Sequence, residues 1–359
     1  MAKLWQRQYD PATRQSDLSE IALDRLRISS PTVVFFSGCT TINRHKRHIA
    51  GAIKRIEEMF GMEGREEKPV DIFAWSYKGL KDMFNVVSYH LRPQSFASKG
   101  ARKAAAHILM PLLGKDVTSD KKFRITGGTP LPPEQVKENL KNLTLFGYSS
   151  GSAFVQEVYN ATLQGMKAIG YNMQDAKKLL HDVVLISAGN ISQPKKETDR
   201  FTTLYLAADN DHIIRSKDFL TFAKPLRKIF NFHAKKLKVK PLSETSLHVS
   251  APVPSDMHEW KREKDGNWAQ KKIKTFYPRW MLLRSHHELP HYVTYEDKQN
   301  EFSKMAIYAL TNAVRRKARP ENITDLIQPV DPFPGASYPP SFQENRASYI
   351  SRVAAARCR

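Results

Sequence analysis

The segment Gly147-Tyr148-Ser149-Ser150-Gly151 follows the apolar run Leu143-Thr144-Leu145-Phe146 and precedes Phe154, Val158 and Met166 at helical spacing. A serine hydroxyl is a weak nucleophile until a neighbouring base takes its proton. A tight turn from strand into helix presents such a hydroxyl at the tip of the bend, in a strained backbone conformation that tolerates only small residues two positions to either side. Gly147 and Gly151 occupy those positions, with Tyr148 between strand and serine. The same turn sets Ser149 at a helix N-terminus, where the partial positive charge and the Ser150 amide can stabilise an oxyanion. The chemistry that follows is acyl transfer through a covalent serine adduct. The competing reading is a glycine-serine turn with no reactive serine.

On this strand, Gly-x-Ser-x-Gly and helix pattern the chain resembles the α/β-hydrolase family. The resemblance implies an acid and then a histidine later in the chain, and an oxyanion loop earlier. For the acid, Leu204-Tyr205-Leu206-Ala207-Ala208-Asp209-Asn210-Asp211 is similar to the family's strand-then-aspartate form, with Asp211 in the acid position and Asp209 as the fallback. Both aspartates could instead cap a following helix. For the histidine, the segment from Trp280 to His291 contains His286, His287 and His291. His287 is preferred because the family's setting is like Gly-His-x-x-Pro; His286 stands where the glycine would be, which keeps His286 and His291 open as alternatives. In the oxyanion loop Phe36-Ser37-Gly38-Cys39-Thr40-Thr41, the amide of Cys39 or Thr40 would join that of Ser150. Cys39 could also act as a nucleophile on its own, or simply fill space as a small buried residue. The implied roles are His287 as general base to Ser149, Asp211 as support for the imidazolium, and no cofactor or metal. The adjacent His286 and His287 lack metal-ligand spacing and companions.

The elements that would hold these residues are short apolar runs: Thr32 to Phe36, Val70 to Trp75, Leu143 to Phe146, Val183 to Ile186, Thr203 to Leu206 and Trp280 to Leu283. Helical spacing lies between them, as in Ile49, Ile53, Ile56 and Phe60. Strand alternating with helix predicts an α/β fold, a mostly parallel sheet flanked by helices, with a lid-like insertion before the last strand. The expected divisions are an N-terminal extension at 1–28, a hydrolase-like domain at 29–319 with insertions at 76–142 and 231–279, and a proline-rich, basic C-terminal tail at 320–359. Within the first insertion, helices are expected around Ala101 to Leu113 and Glu134 to Leu140. In the second, Trp260 and Trp268 flank Asp265-Gly266, a hairpin signal.

At 359 residues and 41% hydrophobic content the chain can bury a large core, which excludes a disordered or fibrous class. No run reaches the roughly 18 to 20 apolar residues of a membrane span, and MAKLWQRQYDPATRQSD lacks the apolar stretch of a signal peptide. The expectation is a soluble, cytoplasmic protein. Its 2 cysteines exclude a disulfide framework. The net charge of +21 would attract an anionic membrane surface, nucleic acid or an acidic partner. Two function classes follow: a lipase- or esterase-like hydrolase acting on a small acyl or lipid substrate, and a basic binding protein on a hydrolase-like scaffold. Oligomeric state leaves no mark in the sequence.

Overall fold

The computed structural model describes residues 3–12, 15–22, 26, 28–38, 49–50, 52–54, 56–57, 60, 62, 70–76, 95–118, 122–129, 131–190, 200–208, 237–251, 258–262, 267–272, 289, 292, 301–315, 322–330 and 353–354. Its centre is a sheet built from mainly apolar runs that are buried at nearly every position. In β3 (Thr32–Phe36) Val33 and Phe35 enter the core on one face, whereas Val34 and Phe36 enter the core on the other. Period-two alternation sends successive side chains to opposite sides, so only a strand covered on both faces needs such a run.

β4 (Asp71–Ser76), β7 (Leu143–Tyr148), β8 (Val184–Ala188) and β9 (Thr202–Ala208) repeat the pattern and pair in parallel with β3 or with one another. Among the described residues the sheet has nine strands, in the order β10-β11-β9-β8-β7-β3-β4-β1-β2. At one edge the hairpin of β1 (Lys3–Asp10) and β2 (Gln15–Ile21) joins antiparallel to β4. Arg7 of β1 forms a buried ion pair with Glu57, whose helical stretch also buries Ile49, Ile53 and Ile56. At the other edge β11 (Ser246–Ala251) runs parallel to β9, and β10 (Lys238–Ser243) returns antiparallel outside it.

The α/β class with a large, mostly parallel sheet agrees with the expectation from the apolar runs. Five of those runs are β3, β4, β7, β8 and β9; Trp280 to Leu283 lies outside the described residues. The second insertion was expected at 231–279. Residues 238–251 in fact extend the main sheet, because Leu247 and Val249 complete the core beside Leu204 and Leu206. On either side of Asp265-Gly266, which lie outside the described residues, β12 (His258–Arg262) pairs antiparallel with β13 (Trp268–Lys272).

Helices cover both faces. One face carries α1 (Lys99–Ala104), continued by a π turn and a 3-10 turn to Leu113, together with α2 (Pro133–Lys141), α3 (Ser150–Ala168) and α4 (Met173–Leu180). The hairpin of β5 (Asp116–Thr118) and β6 (Arg124–Gly127) extends from this layer. The other face carries the stretch around Ile53 and α5 (Glu301–Arg315). A 3-10 turn, Ile323–Ile327, packs beside α5 and buries Ile323, Leu326 and Ile327, and Val353 is buried in the same core. The tail expected from residue 320 onward is therefore, at these positions, part of the packed fold. Among the described residues no helix is long and apolar enough to cross a membrane.

Candidate active site

The chain leaves β7 at Tyr148 and enters α3 at Ser150, so the whole change of direction falls on Ser149. Its φ is 56° and its ψ −124°, and it is the one non-glycine among the described residues with positive φ. An L-residue held there costs on the order of 1–3 kcal/mol, which surrounding structure must offset. The Ser149 N–H donates to the Ala188 carbonyl at the end of β8, at 2.9 Å, and the Ser152 N–H donates back to the Ser149 carbonyl at 3.1 Å. By position Ser149 is the N-cap of α3, and serine is a favoured cap because its oxygen usually accepts an amide from the first turn. Here its side chain makes no capping hydrogen bond. The hydroxyl is thus held by strained backbone without serving the helix.

Two close approaches explain the small residues around the turn. A methyl group on Gly151 would lie 2.2 Å from the Phe36 carbonyl oxygen and 2.6 Å from that of Ser37, so the first turn of α3 rests directly on the backbone leaving β3. A methyl group on Gly38 would lie 2.9 Å from Ser149 Cβ and 3.2 Å from the Tyr148 ring. The end of β3 is thereby brought against the serine itself. Gly147 is packed equally tightly, its missing side chain facing Ser152.

These contacts coincide with a feature of the sheet. From β3 the chain goes to β4 on one side, and later fills the other side through β7, β8, β9 and β11. β3 and β7 are thus the adjacent strands at which the winding reverses, and crevices at the carboxyl ends of such strands are where open α/β sheets bind ligands. Ser149 follows β7 and Gly38 follows β3, so both stand at that point. Ser37, Tyr148 and Ser150 beside them are 1%, 6% and 4% exposed.

From Ser149 a row of backbone donors crosses the strand ends. The Ser149 N–H bonds Ala188, the Gly189 N–H bonds the Leu206 carbonyl at 3.0 Å, and the Ala208 N–H donates to the Tyr292 phenol oxygen at 3.2 Å. Tyr292 is fully buried, with its ring 5.5 Å from that of Phe302 on α5. The residue after β9 is Asp209, and the residue before Tyr292 is His291. Asp209, Asp211, His286, His287, His291, Cys39 and Thr40 themselves lie outside the described residues. Of the sequence-predicted set, the structure places Ser149 together with Ser150, Gly147, Tyr148 and Gly151, and sets Gly38 against them. Tyr292 and Ser152 were not singled out in the sequence. No motif marks either one, since Tyr292 accepts an amide from β9 and Ser152 donates to a β7 carbonyl five residues back.

A groove of about 690 Å³ opens at the opposite, amino end of the sheet, lined by Lys137, Lys177, Lys178, His181, Asp182 and Glu244 among others. It contains none of the candidate residues. Among the described residues no group of three or more His, Cys, Asp or Glu could hold a metal ion. Comparison of the chain with models of known families and with characterised proteins gave no match.

Proposed function

We propose that the chain is a serine hydrolase that cleaves a carboxylic ester of a small acyl or lipid substrate by acyl transfer to water. Ser149 is the nucleophile, His287 the base and Asp211 its support, with Asp209, His286 and His291 as the fallbacks. The observation that carries the reading is the strained, non-capping Ser149 at the carboxyl end of β7. A serine that served only as a turn or a cap would relax into the ordinary capping geometry.

In the reaction, Ser149 Oγ attacks the ester carbonyl carbon while its proton passes to His287. The carbonyl oxygen becomes an oxyanion, bound by the Ser150 amide at the start of α3 and by that of Cys39 or Thr40 beyond Gly38. The intermediate collapses, the C–O bond to the alcohol breaks, and the imidazolium returns its proton to the leaving alcohol. Water then gives a proton to His287 and attacks the acyl carbon; the bond to Ser149 Oγ breaks, the imidazolium returns its proton to Ser149, and the acid is released. The β12–β13 hairpin and the basic charge suit an acyl chain presented at an anionic surface.

The test is labelling of the intact protein with a fluorophosphonate, alongside hydrolysis of p-nitrophenyl esters of increasing chain length. Labelling that disappears in Ser149→Ala and in one of the three histidine variants is the expected result. A folded protein that takes no label overturns the reading and leaves the basic binding scaffold, on which the +21 charge is the functional feature.

A further inference from the structure

We infer that Ser152, three residues beyond the nucleophile, is a positioning residue that keeps the Ser149 turn in its reactive conformation; the inference rests on the acyl-transfer reading above. The Ser152 side chain is fully buried, and Oγ donates to the Gly147 carbonyl at 2.8 Å and lies 3.5 Å from the Ala188 carbonyl. Ala188 is the same residue that accepts the Ser149 N–H, and the Ser152 N–H reaches the Ser149 carbonyl. One residue therefore grips the chain on both sides of the Tyr148-Ser149 pair and sits beside the strand that anchors it.

The peptide unit is planar and trans, so its C=O and N–H point in opposite directions. Holding the Ser149 carbonyl toward Ser152 fixes the direction of the Ser150 N–H in the same peptide plane, and that amide is the proposed oxyanion donor. The Oγ bond to Gly147 fixes the plane on the other side of Tyr148. A serine hydroxyl in a helix ordinarily back-bonds the carbonyl three or four residues earlier; this one reaches back five residues, into the preceding strand. Without that tie the Ser152 amide is no longer constrained to the Ser149 carbonyl. It can move to Ser149 Oγ, turning the nucleophile into an ordinary helix cap whose oxygen is engaged as an acceptor. Ser152 thus acts on the reaction through Ser149 and touches no substrate.

The experiment measures the second-order rate constant for fluorophosphonate labelling across pH in wild type, Ser152→Ala and Ser152→Cys, at a temperature where circular dichroism shows each to be folded. The expected result is a fall of roughly 10- to 100-fold for Ser152→Ala, the scale that small misplacement of a reacting group produces. The pH midpoint should stay unchanged because the base is untouched. Ser152→Cys, which keeps a weak donor of similar shape, should fall between the two. A role confined to stability would lower the melting temperature and leave the rate constant of the folded protein alone. That outcome in Ser152→Ala, or in Ser152→Cys should the alanine variant not fold, overturns the inference while leaving Ser149 as nucleophile. A wild type that takes no label overturns both.

Discussion

The Ser149 N–H donates to the Ala188 carbonyl across the ends of β7 and β8, at 2.9 Å, and so ties a residue with φ of 56° to the neighbouring strand. The conformation is costly for serine and easy for glycine. Ser149→Gly should therefore raise the unfolding free energy by about 1 kcal/mol while abolishing labelling and hydrolysis. Ser149→Ala should abolish activity with no such gain, because alanine carries the same Cβ. Thermal unfolding of the two variants side by side checks this; equal melting temperatures would show that the turn stores no strain.

Gly38→Ala and Gly151→Ala should separate reactivity from folding. A methyl on Gly38 meets the Ser149 side chain and the Tyr148 ring, which can shift. It should cost about 1–3 kcal/mol of stability and reduce labelling more than tenfold. A methyl on Gly151 meets the Phe36 and Ser37 carbonyls, which belong to a central strand end. That variant should lose at least about 3 kcal/mol, read by urea titration.

Tyr292→Phe removes the acceptor for the Ala208 N–H and keeps the ring against Phe302. An unsatisfied buried amide costs about 1–3 kcal/mol. Because His291 precedes Tyr292 and Asp209 follows Ala208, hydrolysis should fall by more than the stability loss explains. Activity unchanged on the folded protein would detach this contact from the proposed general base.

Arg7 and Glu57 pair with side chains only 2% and 6% exposed. Glu57→Gln leaves a buried guanidinium without its counter-charge and should destabilise the fold by about 3–5 kcal/mol. Replacing both by apolar residues, Arg7→Met with Glu57→Leu, should recover most of that loss. A double variant no better than Glu57→Gln would mean that Arg7 is needed for its hydrogen bond to the Met62 carbonyl rather than for its charge.

Truncation after Arg319 should destabilise the protein, because it removes Ile323, Leu326, Ile327 and Val353 from the core. Burying a large aliphatic side chain is worth about 1.5–3 kcal/mol, so the loss should be several kcal/mol. A truncated chain with the melting temperature of the full one would contradict the packing described for this segment.

The strand-to-helix turn at Ser149 was legible because its three requirements, an apolar strand, small residues at fixed spacing and a helical pattern, are all local. The five central strands were legible because a strand covered on both faces places apolar side chains on each of them, giving a continuous run in place of an alternation. β11 was not, since Ser246, His248 and Ser250 interrupt its apolar positions and its partner β9 lies about 40 residues earlier. The packed turn at Ile323–Ile327 was hidden by the prolines that follow from Pro329, whose composition suggests a tail. The acid and the histidine came from resemblance rather than pattern, because a triad is assembled by tertiary contact. The clamp at Ser152 depends on the Gly147 carbonyl at the end of β7 and lies near the Ala188 carbonyl at the end of β8, and no spacing rule encodes that.

Among the described residues the outermost strand on the β11 side is β10, whose Lys238, Lys240 and Pro241 are exposed to solvent. Proline has no N–H to offer a neighbouring chain, and two ammonium groups along the same edge repel another copy of it. Growth of the sheet by addition of a strand from a second molecule is therefore disfavoured at this boundary, and a concentrated solution of the protein is guarded there against ordered aggregation.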